Sequence, residues 1–274
     1  MQCRCAWAGA QAPTKSAIRP KMTMSRETYT PGYSDATLRL MLERTAAKHA
    51  AFFTPFLQRG MRLLDCGCGP GTITTGLAKL VSPGQVFGID LEPGQVRRAQ
   101  DRARQKQSNA SFEVAGIYAL PFPDGHFDAV FAHALFEHLR EPVRALREMK
   151  RVLRSSGLVG IRSPDWAGWV VHPMNAPLEE AFRLFKEIQI ANGGNPYVGR
   201  ALKGLLREAG FCNISLSASY EIFDDLACFV EWLANCLELK GHTRPRKNAQ
   251  ELRAWCENPD SLVAKSWFEA VGFA

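Results

Sequence analysis

Residues 62–73 read RLLDCGCGPGTI, and no other stretch constrains the fold of this chain as tightly. Leu63 and Leu64 lead into Asp65 as the end of a buried strand, about residues 61–66. Gly67, Gly69 and Gly71 follow on alternate positions, free to take positive φ and carrying no Cβ. From Thr72 to Leu80, apolar residues at Ile73, Leu77 and Leu80 mark a helix. A strand, a glycine turn and a helix N-terminus form a shallow cradle in which backbone N–H groups face a ligand at van der Waals range. A dinucleotide fingerprint runs G-x-G-x-x-G, and its third glycine would fall at Thr72. The spacing here is G-x-G-x-G with an acid two residues before the first glycine, a poor match to a pyrophosphate site. A plain turn that binds nothing explains one glycine better than three.

The alternation of strand and helix continues downstream. GQVFGID ends at Asp90, ASFEVA spans about 110–115, FDAVFAHA about 127–134, and GLVGIRS makes a fifth strand. Between them lie a polar surface helix, PGQVRRAQDRARQKQ, and an amphipathic one, EPVRALREMKRVLR, with Val143, Leu146, Met149 and Leu153 on one face. Upstream, ATLRLMLERTAAKHAAFFTPFL has helical apolar spacing at Leu38, Met41, Leu42 and Phe52. Five strands separated by helical segments predict an α/β fold with a doubly wound parallel sheet. In such a sheet ligands sit beyond the carboxyl ends of the strands, beside the first. Asp65–Gly71, Asp90, Ala115–Ile117 and His133 then meet in one crevice.

After the fifth strand, PDWAGWVVHPMNAP reads as a loop, and LEEAFRLFKEIQIA and VGRALKGLLREAG as helices. FCNISLSASYEIF is a long strand, residues 224–258 two more helices, and SWFEAVGFA a final strand. The expectation is a mostly parallel sheet of seven strands in one domain over residues 29–274. A helical lid over the crevice is expected from about 164–197 and 223–260, carrying Trp166, Trp169, Phe182, Phe185, Tyr197, Phe229 and Trp232.

The net charge of +7 is unevenly spread: the first 26 residues hold Arg4, Lys15, Arg19, Lys21 and Arg26 and no acid, which leaves +2 for the rest. A near-neutral body gives no reason to expect a nucleic-acid partner. No apolar run reaches the roughly 18 residues a membrane helix needs, so no membrane insertion is expected. The eight cysteines are scattered, with no C-x-x-C or His cluster to complete a metal site. Free thiols in a cytoplasmic protein, monomer or homodimer, are the expectation. Residues 1–28 read as a basic, unfolded arm: a transit peptide, or sequence upstream of a start at Met22 or Met24, the second being preferred.

Asp90 lies 19 residues past Gly71 at the tip of the second strand, where a carboxylate can accept two hydrogen bonds from a ribose diol. With the glycine loop upstream, it implies a nucleoside ligand. Phosphate binding is not implied, since no P-loop lysine follows the glycines.

LLDCGCGPGTIT, VFGIDLEPGQV, YALPFPDGHFDAVFAHALFEHL and ALREMKRVLRSSGLVGIRSPDW occur in that order with fitting gaps. The run resembles class I S-adenosylmethionine-dependent methyltransferases, in the branch similar to the ubiquinone/menaquinone-biosynthesis type. The resemblance is close over about residues 60–164, and VGRALKGLLREAGF and WFEAVGFA look like the branch's closing elements. It implies a Rossmann-like methyltransferase fold and S-adenosyl-L-methionine as cofactor. Gly67, Cys68, Gly69 and Gly71 would lie against its methionine and ribose parts, and Asp90 would hold the ribose hydroxyls. Asp65 would organise the loop and the cofactor's amino group, Leu91 would pack on the adenine, and His133 would sit near the sulfonium. One departure stands out. Where the family carries an acid after strand 3 for the adenine amino group, this chain has Gly116, with the Ile117 backbone N–H still in reach. A missing hydrogen bond of that kind costs ~1 kcal/mol, about fivefold to tenfold in affinity.

Methyl transfer from a sulfonium is an in-line displacement, so positioning and water exclusion matter most and a catalytic base is optional. His133 is the first candidate for a base, with Glu137 and His138 behind it; each has a purely structural reading. Tyr29 and Tyr33 precede the first helix and either fold over the cofactor or anchor the N-terminus. Tyr197 and Arg200 either face the substrate, with Arg200 ready for a carboxylate, or form a salt bridge within the lid. The expected function is methyl transfer to O, N or C of a small hydrophobic or aromatic acceptor. The alternatives are an RNA or protein methyltransferase and a non-catalytic cofactor-binding subunit; a nicotinamide dehydrogenase is disfavoured by Thr72.

Overall fold

The strand behind the glycine turn, β1 (Leu63–Cys66), is buried at all four positions, as a central strand covered on both faces must be. It pairs in parallel with β2 (Val86–Asp90) on one side and β4 (Phe127–His133) on the other. β3 (Ala110–Val114) lies beyond β2, and β5 (Leu153–Pro164) beyond β4, all parallel. The strand order therefore reverses beside β1, and the carboxyl ends of β1 and β4 open a crevice there. These coordinates are a computed structural model, which describes residues 28–238 and 245–274. The arm expected over residues 1–28 lies, but for its last residue, outside the described residues.

Period-two alternation builds the two cores. Leu63 joins Phe53, Ile73, Leu77 and Phe131 on the face covered by α3 (Thr72–Val81). Leu64 joins Ile89, Leu146, Met149 and Leu202 on the other, under α5 (Pro142–Val152) and α7 (Val198–Glu208). Each such side chain, fully buried, contributes about 1.5–3 kcal/mol.

The sheet has eight strands and not seven. The last strand, β8 (Leu262–Phe273), runs antiparallel to β5 and also pairs with β7 (Cys212–Ile222) and β6 (Val170–His172). β6 lies inside the stretch that reads as a loop; three residues are too few for alternation to show. The register sets His133 beside Arg162 and Arg162 beside Glu269, one row across three strands.

The first helical stretch is broken into α1 (Asp35–Leu42), α2 (Ala46–His49) and a short turn at Thr54–Phe56. The Thr45 hydroxyl accepts the Lys48 N–H at 3.3 Å and so starts a new helix where the periodicity reads through. The segments expected to form a lid make a packed helical layer. α6 (Ala176–Ala191) and α8 (Leu226–Glu238) share a core with Trp166 that includes Leu178, Phe182, Phe185, Phe229 and Trp232. α9 (Pro245–Cys256) adds Leu252 and Trp255. Among the described residues no helix is long and apolar enough to cross a membrane.

Candidate active site

All three loop glycines take positive φ, but they do different work. A Cβ on Gly71 would meet the Ala99 Cβ at 2.9 Å and the Phe112 ring at 3.0 Å, so this glycine lets α4 (Pro93–Gln105) and β3 close on the loop. At Gly69 only the Met41 sulfur lies within 4 Å, and that side is open. The loop is tied to β2: the Gly67 and Cys68 N–H groups donate to the Ile89 carbonyl at 2.8 and 2.9 Å. The Gly69 N–H donates to Asp90 Oδ2 at 2.9 Å. Asp90 Oδ1 accepts the Glu92 N–H, also at 2.9 Å, so the carboxylate is fixed before any ligand arrives.

The crevice is a cavity of about 970 Å³. Asp65, Gly67, Cys68, Gly69, Asp90, Leu91, Gly116, Ile117, His133 and Tyr29 all line it, as do Tyr33 and His138. Gly71, Tyr197 and Arg200 do not. The Arg200 guanidinium is engaged by Asp165 at 2.5 and 2.6 Å and lies over the Tyr197 ring, the salt-bridge reading of that pair. Glu137 stands behind the crevice in a second, smaller cavity.

Two carboxylates face the space over the loop. Burial pushes the Asp65 carboxyl up to about 7, against a 2.6 Å hydrogen bond from the Thr74 hydroxyl, and Asp90 raises it further. Burial raises Asp90 too, opposed by the Glu92 and Gly69 N–H groups. A ligand ammonium near Asp65 relieves the strain of two carboxylates confined together. Asp90 leaves lone pairs for a diol, and exposed Leu91 and Gly116 edge a slot for a flat ring. These features fit S-adenosylmethionine. Burial also raises the Cys66 and Cys68 thiols well above their ordinary value, which disfavours the thiolate at both.

His133 ends β4 at the opposite wall. Only 4% of it is exposed, and both ring nitrogens lack a hydrogen-bond partner among the described residues. Its ring lies 4.7 Å from Trp267 and 5.2 Å from His49. Burial drives its pKa well below the ordinary value, with Arg44 and Arg162 adding to the fall. It is a neutral imidazole, suited to accept a hydrogen bond more than to hold a proton. Burial takes neighbouring His138, edge-on to Tyr29 at 4.7 Å, down to about 3, helped by Lys265 and Arg44.

Sequence reasoning missed Arg44, Lys265 and Trp267. Arg44 sits at the helix break, where periodicity reads an exposed face. Lys265, Trp267 and Glu269 share one face of β8, and that signal was readable: two charges four positions apart on an apolar strand, on the same face as the tryptophan between them.

A family model described as a methyltransferase domain matches residues 64–161. "Probable methyltransferase ltbC" of Aspergillus luteorubrus is 37% identical over 270 residues, 88% of this chain and 91% of that one. "Ubiquinone/menaquinone biosynthesis C-methyltransferase UbiE" of Yersinia pestis is 29% identical over 178 residues, 59% of this chain and 70% of the relative. Among solved structures, the YcgJ protein of a Bacillus species superposes with a TM-score of 0.60 at 16% identity, over 82% of this chain and 98% of that one, a likeness of fold.

Proposed function

The chain belongs to the S-adenosylmethionine-dependent methyltransferases, and from that premise we propose that it methylates a small hydrophobic or aromatic acceptor seated beside His133. The observation that carries this reading is His133 itself: a buried imidazole on the cavity wall with two unpaired nitrogens. A buried polar group of that kind costs about 1–3 kcal/mol unless something pairs it, and an acceptor N–H or O–H does so. S-adenosylmethionine, when bound, supplies a methyl group on a sulfonium that is already a good leaving group. Asp90 would take the ribose hydroxyls, Asp65 the amino group, and Leu91 and Ile117 the two faces of the adenine. His133 would orient the acceptor, while Trp267 and the helical layer exclude water. The near-neutral folded body supports a small acceptor over a nucleic acid.

Incubating the enzyme with methyl-tritiated S-adenosylmethionine and fractionated cell extract tests this. Label is expected in organic-extractable small molecules. Label confined to RNA or protein would overturn the reading. His133→Ala is expected to lower the rate about a hundredfold while S-adenosylhomocysteine binds as before.

A further inference from the structure

The second cavity, of about 110 Å³, shares Tyr29, Arg44, Ala134 and His138 with the first, so the two adjoin. Among the described residues three cations line it: Lys48, which pairs with Glu221, and Lys265 and Arg44. Lys265 is half-buried, 4.1 Å over the Trp267 ring and 5.4 Å from Trp169. Arg44, also half-buried, lines both cavities. Neither side chain has a hydrogen-bond or ion-pair partner among the described residues.

Glu137 and Glu221 favour the charged form of Lys265 from a distance, but no carboxylate among the described residues forms an ion pair with Lys265 or Arg44. Glu221 has other partners: it accepts from His49 Nε2 at 3.0 Å and Trp267 Nε1 at 2.8 Å and pairs with Lys48 at 3.1 Å. Glu269 is taken by Arg162 at 3.1 Å and by Ser217 and Ser219. Glu43, Asp224 and Asp225 are exposed, and Asp225 caps α8. Glu137 is buried with Oε2 unpartnered among the described residues; burial raises its pKa, and Lys265 and Arg44 oppose the rise. His133 and His138 are neutral. Burial lowers Lys265 to about 8, and repulsion from Arg44 adds to the fall. What remains is a small, aromatic-walled cavity faced by two cations without a hydrogen-bond or ion-pair partner among the described residues, beside a buried acid with an unpartnered oxygen.

We propose that the acceptor is an aromatic anion, an aryl carboxylate or phenolate, whose charged oxygens enter the small cavity against Lys265 and Arg44. This rests on the acceptor lying beside His133 as read above. The ring of such a molecule meets Tyr29 at the shared wall and Trp267 in the small cavity, and its reactive atom stays in the larger cavity. An anion there joins two separately desolvated cations in one hydrogen-bonded cluster, where charge-assisted bonds are about twice as strong as neutral ones.

The protein, saturated with S-adenosylhomocysteine, is titrated calorimetrically with benzoate, benzyl alcohol and benzylammonium. Benzoate is expected to bind at least tenfold tighter than either of the others. Lys265→Met, which keeps a stem over Trp267, and Arg44→Met are each expected to erase the preference, and Lys265→Arg to keep it. Equal binding of the three, preference for benzylammonium, no binding of any, or wild-type preference in Lys265→Met would overturn the proposal. Repeating the titration without S-adenosylhomocysteine separates the two readings: a preference for benzoate that persists supports the anion subsite even if the cofactor's seat is wrongly drawn.

Discussion

With the cofactor's amino group seated against Asp65 as proposed, cofactor binding is expected to be a proton-linked event. In the empty protein the Asp65 carboxyl sits at about 7, raised by burial from an ordinary 3.8. A ligand ammonium favours the ionised form, so binding expels whatever proton is present. For a group with pKa 7 that becomes fully ionised, about half a proton leaves at pH 7, and affinity falls about tenfold between pH 8 and pH 6. The assay is titration with S-adenosylhomocysteine at pH 6, 7 and 8 in phosphate and in Tris, whose different ionisation enthalpies reveal the proton count. Asp65→Asn should remove both the buffer dependence and the pH dependence. The same carboxyl shapes stability without ligand. Its folded pKa is raised, so its contribution is fully present below about pH 4 and is lost as pH rises through about 7. The empty enzyme should therefore melt at a higher temperature at pH 5 than an Asp65→Asn reference implies from its behaviour at pH 8. A flat affinity across this range, or unchanged proton release in Asp65→Asn, would refute the placement of the cofactor's amino group.

Three further outcomes follow from the geometry. A Cβ on Gly116 meets nothing closer than the Leu91 Cδ1 at 3.8 Å, so Gly116→Asp has room. It should tighten S-adenosylhomocysteine about fivefold to tenfold by calorimetry; weaker binding would show that the adenine lies elsewhere. Gly71→Ala combines a clash at 2.9 Å with a φ of +75°, and should cost about 2–4 kcal/mol in denaturant unfolding. Arg162 and Glu269 are a buried pair, and Arg162→Met leaves the carboxylate with only its two serine partners. It should destabilise by about 3–5 kcal/mol, and a loss under 1 kcal/mol would show the pair to be dispensable.

How far the sequence can be read is itself a matter of physics. The cofactor half was legible because its signals are local. Three alternate glycines, an acid at each of two strand tips and period-two runs all depend on neighbours in the chain, and β1, β2, β4 and α3 follow them closely. The proposed acceptor half was not, because Lys265 and Arg44 on the small cavity and His133 on the larger one are brought near each other only through the sheet register and the break at Thr45. β6 escaped for want of length. Arg200 suggested a substrate contact because an arginine's partner is invisible in sequence, and Asp165 lies 35 residues away along the chain.

The most direct test of the central claim, that the crevice beside β1 holds the cofactor through Asp90, is calorimetric titration of wild type and Asp90→Ala with S-adenosylhomocysteine, with NAD as comparison. Micromolar binding of S-adenosylhomocysteine alone, weakened at least tenfold in the variant, is the predicted result. Equal binding in Asp90→Ala, or none in a folded wild type, would contradict it.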